Sequence, residues 1–188
     1  MTRTIREYTS EYRKQMEDIC LATASEKART DILHGIFTLK MYCDLYLDHG
    51  EVLMLVDEKN QAAGYVMAAP DIRSFLKESE EDRKEIIVLG EYYKNRAEAE
   101  WNGYLTYADR YPAHVHIDLL ESETGSGNGT RLMKAMLEKL KSQNVKGVML
   151  GVAKANERAV KFYQKMGFQV LEQDEGGYAM GIRLQETA

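Results

Sequence analysis

Apolar side chains recur along the chain with two different periods, and the changes of period divide it into helices and strands. Residues Thr4 to Glu7 have the composition of a short first strand. Apolar residues then recur at helical spacing from Thr9 to Thr23 and from about Asp31 to Leu47. Asp31 is placed to cap the second of these helices, since its side chain can accept a hydrogen bond from the first turn.

The middle of the chain combines a strand pair with a helical segment. Glu51 to Val56 and Ala62 to Ala69 are strand-like and are separated by a polar segment, so we expect a hairpin. Residues 71–112 are charged and helical in pattern, and predict one or two helices and a loop inserted before the central strand. This insertion is either a solvated helical layer or a substrate lid, because the aromatic residues from Trp101 to Tyr111 lead into that strand.

A strand, a glycine-rich loop and an amphipathic helix follow one another after the insertion. The strand is predicted at Ala113 to Leu120, and Gly125, Gly127 and Gly129 lie in the loop behind it. The first N–H groups of a helix have no partners within the helix, and the helix dipole adds positive charge there. Glycines let a phosphate approach the backbone closely. This order of elements therefore predicts a site for a diphosphate.

The last third of the chain alternates between strands and a helix. Gly147 to Val152 is an apolar run typical of a strand buried on both faces. Asn156 begins a helix, and Gly167 stands where a left-handed C-terminal cap belongs. Phe168 to Glu172 and Tyr178 to Leu184 are expected to close the chain as an antiparallel pair.

Composition narrows the class of protein. The 188 residues suit a single domain spanning 1–188, and the net charge of -5 comes from mixed acidic and basic residues without a basic face, so we expect no nucleic-acid partner. The apolar runs are far shorter than the roughly 20 residues of a membrane-spanning helix, and the first residues do not resemble a signal peptide. Cys20 and Cys43 lie in apolar helical patterns and lack metal-ligand spacing, which indicates buried thiols and a cytoplasmic location.

Two segments together resemble signatures of the GNAT superfamily of N-acetyltransferases. The acetyl-CoA loop of that family is written Q/R-x-x-G-x-G/A, and Thr124 to Gly129 reads TGSGNG in the same context. The second signature is an Asn that opens a helix containing a Tyr and ending in Gly-Phe, and Asn156 to Phe168 reads NERAVKFYQKMGF. The order of the elements is also similar. The resemblance implies an α/β (α+β) fold, with a mixed, mostly antiparallel sheet of about six to seven strands flanked by helices.

The resemblance also implies a site and a reaction. Acetyl-CoA would be the co-substrate and an amine the acceptor, with no metal, and a homodimer is compatible with the family. Tyr163 matches the general acid that protonates the departing thiolate, and the carbonyl oxygen would bind a backbone N–H near Leu119 or Leu120. The cofactor-binding residues that the resemblance implies are Leu119, Leu120, Thr124, Gly125, Ser126, Gly127, Asn128, Gly129, Thr130, Asn156 and Tyr163.

Thr124 departs from the family pattern, because Gln or Arg is usual at its position. Losing one charge-assisted hydrogen bond costs about 1.5–3 kcal/mol, or roughly one to two decades in affinity. Arg131 and Lys134, on the first turns of the helix, are candidates to compensate. Two functions remain open for this reason: an active N-acetyltransferase, or an inactive acetyltransferase-like domain that binds acetyl-CoA weakly or serves as an interaction module.

A second resemblance bears on the same alternative. Residues Tyr111 to Asp118 and Gly147 to Val152 are similar to the acetyltransferase-like domain of eukaryotic O-GlcNAcases and its stand-alone bacterial relatives. Some members of that group lack activity, which keeps the inactive alternative open.

Three polar residues alternate along the predicted central strand. His114, His116 and Asp118 point to one face, and the apolar residues between them point to the other. They form either a proton-accepting relay beside the acetyl group or a hydrogen-bonded network that stabilises the sheet. We expect His116 or Asp118 to be the general base, with Glu121 as an alternative. A metal site is not expected, since no further ligand is evident.

Overall fold

The seven strands within the described part of the chain form one sheet. The structure is a computed structural model that describes residues 3–185. The strands are β1 Thr4–Glu7, β2 Glu51–Val56, β3 Ala62–Ala69, β4 Ala113–Leu119, β5 Gly147–Ala153, β6 Gln169–Gln173 and β7 Gly177–Arg183. Their order is β1-β2-β3-β4-β5-β7-β6, and only the β4–β5 pair is parallel. The mostly antiparallel sheet and the predicted hairpins are confirmed.

The helices before β2 are more broken than the periodicity predicts. They are α1 Arg13–Thr23, α2 Glu26–Thr30, α3 Ile32–Leu39 and α4 Leu45–His49. A 3₁₀ turn at Ser10–Tyr12 precedes α1, and a π-helical stretch at Lys40–Asp44 joins α3 to α4. The Asp31 carboxylate accepts a hydrogen bond from the His34 N–H at 2.9 Å, so the predicted cap is confirmed.

The inserted segment forms three helices, and the prediction of one or two was too low. They are α5 Ile72–Glu78, α6 Glu80–Ile87 and α7 Glu91–Tyr107. The Asp71 side chain caps α5 by accepting from the Ser74 N–H at 2.8 Å. Trp101 and Tyr104 are buried in the core, and Tyr104 stacks on His114 of β4, so α7 is a packed wall of the fold.

The sheet separates two apolar cores. Met54, Tyr65 and Met67 face the layer of helices α1 to α7. The opposite face packs against α8 Asn128–Ser142 and α9 Glu157–Lys165, which contribute Met136 and Tyr163 among others. The free thiols of Cys20 and Cys43 are both buried in the first core, as predicted. Within residues 3–185, no helix is long and apolar enough to cross a membrane.

The two central strands diverge, and this divergence opens the sheet at its centre. β4 and β5 pair only at Ala113 with Val148 and at His114 with Met149. Beyond these pairs both strands continue, to Leu119 and to Ala153, without pairing with each other. A gap therefore lies between the second halves of β4 and β5, which we call the β4–β5 gap.

Candidate active site

The glycine loop leads directly into α8 and presents an open backbone surface. Gly125 and Gly127 have φ of +79° and +83°, values in the left-handed region that favours glycine. A Cβ at either position would meet no atom within 4 Å, so the space in front of the loop is free. Since α8 begins at Asn128, its first N–H groups lie beside this free space and can bind an anion.

The polar side chains of the loop are used to hold its shape. The Thr124 hydroxyl donates to the Glu121 carbonyl at 2.6 Å, and the Ser126 hydroxyl donates to the Glu123 carbonyl at 2.8 Å. The buried Asn128 amide donates to the Glu123 carboxylate and to the Ser126 hydroxyl, each at 2.9 Å. What the loop offers to an anion is therefore its backbone N–H groups.

Arg131 is a candidate to replace the long side chain that is missing at position 124, but its guanidinium is already hydrogen-bonded within the protein. Its guanidinium donates to the Asn128 side-chain oxygen and to the Arg3 carbonyl, both at 3.0 Å. Lys134 lies one turn later on α8 and is exposed. The Arg131 side chain therefore stabilises the loop and does not extend into the free space in front of it.

Three segments distant in sequence meet at one end of the β4–β5 gap. A Cβ on Gly129 would lie 3.6 Å from the Leu119 Cδ1 and 3.6 Å from the Phe162 Cε2. The end of β4, the first turn of α8 and the middle of α9 are therefore in contact. Asn156 caps α9 by accepting from the Ala159 N–H at 3.1 Å, and Gly167 ends it with φ of +95°. The helix of the second signature therefore touches the end of the glycine loop through Phe162.

Tyr163 occupies the inner side of α9. Its ring packs against Phe162 and Phe168, and its side chain is buried. Burial raises the Tyr163 pKa well above its ordinary value, and the negative charge of Asp118 raises it further. The hydroxyl forms no hydrogen bond with the residues described by the structure. A phenol in this state keeps its proton at neutral pH and can still donate it.

The backbone at the end of β4 presents the N–H of Leu119 toward the gap. The Leu120 N–H donates to the Ala63 carbonyl of β3 at 3.0 Å. Successive N–H groups of a strand point to opposite sides, so the Leu119 N–H points away from β3 and toward the gap. Of the two predicted oxyanion donors, the N–H of Leu120 is already used and that of Leu119 faces the gap.

His114, His116 and Asp118 lie on one face of β4, but no hydrogen bond among the described residues joins any two of them. The His114 Nδ1 is 2.9 Å from the Tyr46 hydroxyl, and the Tyr65 hydroxyl donates to Asp118 at 2.7 Å. The His116 Nε2 is buried without a hydrogen-bond partner in the described chain. The arrangement is a packed polar and aromatic layer, without the His–Asp hydrogen bonds of the stabilising network considered from the sequence.

Burial sets the charge state of these three groups. It lowers the His116 pKa to about 4 and the His114 pKa well below its ordinary value, so both rings are neutral near pH 7. Burial also raises the pKa of Asp118, although the hydrogen bond from Tyr65 partly opposes this. His116 is therefore a weaker base than an exposed histidine, and Asp118 is a stronger base than an exposed carboxylate.

A cavity of about 490 Å³ lies on the same side of the sheet as these residues. Its walls are α7, the diverging half of β5 and the β6–β7 hairpin, and Met149 forms part of its floor. Met149 is also the β5 residue of the last β4–β5 pair. The cavity therefore begins where the two strands separate.

Comparison with known protein families agrees with this geometry. The model of the acetyltransferase (GNAT) family matches residues 20–168, which is most of the chain and includes both signatures. This chain belongs to the GNAT acetyltransferase family. The GNAT fold accounts for the parallel β4–β5 pair within an otherwise antiparallel sheet.

Solved structures share the fold of this GNAT chain over nearly its full length. SsHAT has a TM-score of 0.81 at 24% identity, with 99% of this chain and 100% of that chain covered. The PaiA N-acetyltransferase of Thermoplasma acidophilum, solved with coenzyme A, has a TM-score of 0.65 at 12% identity, covering 97% and 99%. The phosphinothricin acetyltransferase of Sinorhizobium meliloti, solved with acetyl-CoA, has a TM-score of 0.61 at 12% identity, covering 97% and 89%. At these identities the likeness establishes the fold.

Some residues that shape this GNAT site received no role from the sequence. Glu100 lines the cavity and accepts hydrogen bonds from the hydroxyls of Tyr42 and Tyr104. Glu100 and Tyr104 are four residues apart on one helix, and this spacing could have predicted their hydrogen bond. The partner Tyr42 comes from a helix 58 residues earlier, which no local pattern indicates. Within residues 3–185, no group of three His, Cys, Asp or Glu side chains is arranged to hold a metal ion.

Proposed function

We propose that this protein is an N-acetyltransferase that transfers an acetyl group from acetyl-CoA to a primary amine by direct attack within a ternary complex. The observation that carries the proposal is the meeting of Leu119, Gly129 and Phe162 at one end of the β4–β5 gap. This contact brings an anion-binding loop, the backbone N–H of Leu119 and the helix of Tyr163 to one place.

The residues of the loop fit a diphosphate. The left-handed Gly125 and Gly127 leave open space, and the backbone N–H groups of residues 127–130 at the start of α8 would bind the phosphate oxygens. Ser126 would contribute through its backbone N–H, because its hydroxyl is used within the loop. Both the hydroxyl and the N–H of Thr124 already donate to the Glu121 carbonyl, so Thr124 offers no donor to the phosphates. The co-substrate supplies an activated acetyl group as a thioester.

Each of three groups around the gap has a role in the proposed reaction. The Leu119 N–H holds the carbonyl oxygen as negative charge develops on it. Asp118 accepts a proton from the amine, and Tyr163 donates its proton to the thiolate sulfur as the carbon–sulfur bond breaks. A carbon–nitrogen bond forms, and the products are an N-acetylated amine and free coenzyme A. His116, adjacent and neutral, is the alternative proton acceptor.

A second candidate function is an inactive acetyltransferase-like domain, as the O-GlcNAcase resemblance suggests. It is favoured by the Thr124 hydroxyl, which turns back to the Glu121 carbonyl and leaves no long side chain at the phosphate site. The low pKa of His116 also favours it, because it weakens one of the two proposed bases.

Thermal melting with acetyl-CoA, followed by an assay of thiol release, tests the proposal. A ligand at a hundred times its Kd stabilises the folded state by about 2.7 kcal/mol, a rise of several degrees in Tm for a domain of this size. We expect that rise, and thiol release when primary amines are added. A Tm shift without release from any amine supports the inactive domain. If millimolar acetyl-CoA does not shift the Tm, the protein does not bind acetyl-CoA, either as an active enzyme or as an inactive domain.

A further inference from the structure

The cavity beside the β4–β5 gap has the size and position of an acceptor site. Its volume of about 490 Å³ lies in the range of small-ligand pockets, which is roughly 300–1,000 Å³. Gly103 of α7 and Gly151 of β5 both line it, and a Cβ on either would meet no atom within 4 Å. The two glycines leave open the space between the helix and the strand.

The walls of this cavity are acidic and aromatic. Glu100, Glu172 and Asp174 line it, whereas no lysine or arginine does so within the described chain. The tyrosine residues at 104, 107 and 178 also line it. Carboxylates bind ammonium groups through charge-assisted hydrogen bonds, and aromatic faces attract cations. Lys154 contacts the Tyr178 ring and the Asp174 carbonyl at the rim without lining the cavity. Three carboxylates against this one cation leave a wall that favours a positively charged ligand.

Phenol groups hold two of the carboxylates in place. Glu100 accepts from the Tyr42 hydroxyl at 2.6 Å and from the Tyr104 hydroxyl, and Glu172 accepts from the Tyr107 hydroxyl. Each carboxylate oxygen has a second lone pair, so the carboxylates can still accept from an ammonium group. They are fixed acceptors that need little reorganisation when a ligand binds.

The nearest arginine on α7 does not occupy the cavity. Arg96 stands over the Phe37 ring at 5.4 Å from its centre, and it is absent from the cavity wall. Arg96 also interacts with Tyr42 and with the charge of Glu100 from behind the cavity wall, so it offsets part of that charge without entering the cavity.

The two fixed carboxylates lie at different depths. Tyr104, which holds Glu100, stacks on the His114 ring with 3.7 Å between ring centres, so this end is next to β4. Tyr107, which holds Glu172, lies three residues further along α7, or about 4.5 Å along the helix axis, and Glu172 belongs to β6 at the edge of the sheet. One acidic group is therefore next to the gap and the other is toward the rim.

We propose that the acceptor is a short aliphatic diamine, with its reacting amine at Glu100 and its second ammonium group at Glu172. This inference rests on the proposed function, because it assigns the acceptor of that reaction. Asp174 adds negative charge at the rim, although its Oδ1 already accepts from the Gly176 and Gly177 N–H groups. Glu100 binds the amine and is a positioning residue, not the proton acceptor.

Calorimetric binding of 1,4-diaminobutane and of 1-aminobutane to the full chain tests the inference without requiring activity. The two probes have the same carbon chain and differ in the second ammonium group. We expect the diamine to bind at least tenfold more tightly. Glu172→Gln removes that advantage and leaves monoamine binding unchanged, whereas Glu100→Gln weakens both. Glu175→Gln, on the same hairpin but outside the cavity wall, is the matched control and changes neither.

A variant that fills the cavity separates loss of binding from loss of folding. Gly103 lies inside α7, where leucine is a better helix former than glycine, so Gly103→Leu keeps or raises the Tm. Its side chain extends into the cavity, and we expect diamine binding to fall at least tenfold. Unchanged diamine binding in this variant would contradict the assignment of the cavity.

The outcomes also separate this inference from the proposed function. Equal binding of diamine and monoamine, or tighter binding of a lysine-containing peptide than of the diamine, overturns the diamine assignment. Acetyl-CoA binding is measured in the same way with no amine present. If acetyl-CoA binds and other amines release thiol, the proposed function stands without the diamine. If the diamine binds and acetyl-CoA does not, the cavity assignment stands and the proposed function fails.

Discussion

Arg3, just before β1, clamps the buried Glu123 beneath the glycine loop. The Arg3 Nε donates to the Glu123 Oε2 at 2.9 Å, and a second guanidinium nitrogen donates to the other carboxylate oxygen. Arg3 lowers the pKa of Glu123, so the carboxylate stays ionised. Because Asn128 also donates to it, this acidic residue serves as a scaffold for the start of α8. Its charge, which would otherwise oppose a diphosphate, is balanced by the arginine.

Replacing Arg3 tests whether this clamp matters for the cofactor. Arg3→Met leaves the Glu123 charge without its partner, and we expect acetyl-CoA affinity to fall about tenfold, as for one charge-assisted contact. Adding Glu123→Gln removes the charge and should recover part of the loss, which a double-mutant cycle measures. Arg6→Met is the control, since Arg6 of β1 donates to the exposed side chain of Asn60 in the turn between β2 and β3. Equal Kd in Arg3→Met and wild type would refute this role.

Substitutions at Gly129 test the phosphate site directly. A Cβ there would make ordinary contacts of 3.6 to 3.7 Å with Leu119 and Phe162, and its φ is not positive. Gly129→Ala should therefore fold and bind acetyl-CoA much as wild type does. Gly129→Glu adds size and negative charge at the start of α8, so acetyl-CoA binding should be lost. Calorimetry measures both, and retained affinity in Gly129→Glu would show that the diphosphate binds elsewhere.

A substitution at Thr124 tests whether the affinity for acetyl-CoA can be raised. Thr124→Arg places a cationic side chain at the position where the family has Gln or Arg, and we expect acetyl-CoA to bind about tenfold more tightly. Thr124→Ala removes only the hydrogen bond to the Glu121 carbonyl and serves as the comparison. Affinity that is the same in the arginine and alanine variants would mean that this side chain does not reach the phosphates.

Stability should fall in mild acid because His116 is buried and neutral. Its pKa is about 4 in the folded protein, against 6.5 for an ordinary histidine, so the unfolded chain binds more protons between these values. Stability is thus full above about pH 6.5 and decreases as the pH falls toward 4, by up to about 3 kcal/mol from this residue. His114 acts in the same direction, and Asp118, with its raised pKa, acts oppositely.

Urea unfolding at pH 7 and pH 4.5 measures this dependence. We expect His116→Gln to reduce the loss of unfolding free energy between the two conditions. His49→Gln, which alters a surface contact with Asp82, should leave the difference unchanged. The same pH dependence in His116→Gln as in wild type would assign the effect to other groups.

The strands could be predicted closely from the sequence because their signals are local. The bounds of β2 and β3 agree with the predicted strand-like segments, which are rich in Val, Leu, Met and Tyr, and the short polar segment between them favours an antiparallel pair. The helix cap at Asp31 could also be predicted, since a capping side chain and its N–H partner lie three residues apart. Both signatures were recognisable for a similar reason, as each lies within one loop or one helix.

The features that could not be predicted from the sequence depend on contacts between segments that are distant in sequence. The π-helical stretch at Lys40–Asp44 keeps an apolar face toward the core, so periodicity reads it as continuous helix. The β4–β5 gap has no sequence signature, because the same residues could have continued to pair. The hydrogen bonds that orient Glu100 and Glu123 come from residues 58 and 120 positions away, respectively. Only the assembled fold brings these partners together.

Turnover and affinity of Tyr163→Phe show whether Tyr163 is the general acid of an acetyl transfer. The change removes one hydroxyl and keeps the ring packed between Phe162 and Phe168. Loss of a general acid costs about 10²–10⁴-fold in rate, whereas acetyl-CoA affinity should stay within a few-fold. Tyr92→Phe, at an exposed tyrosine of α7, is the control and should match wild type. We predict thiol release by wild type and at least a hundredfold lower kcat in Tyr163→Phe at similar Kd. Equal loss of kcat and affinity, unchanged kcat, or no thiol release by wild type with any amine would contradict the account.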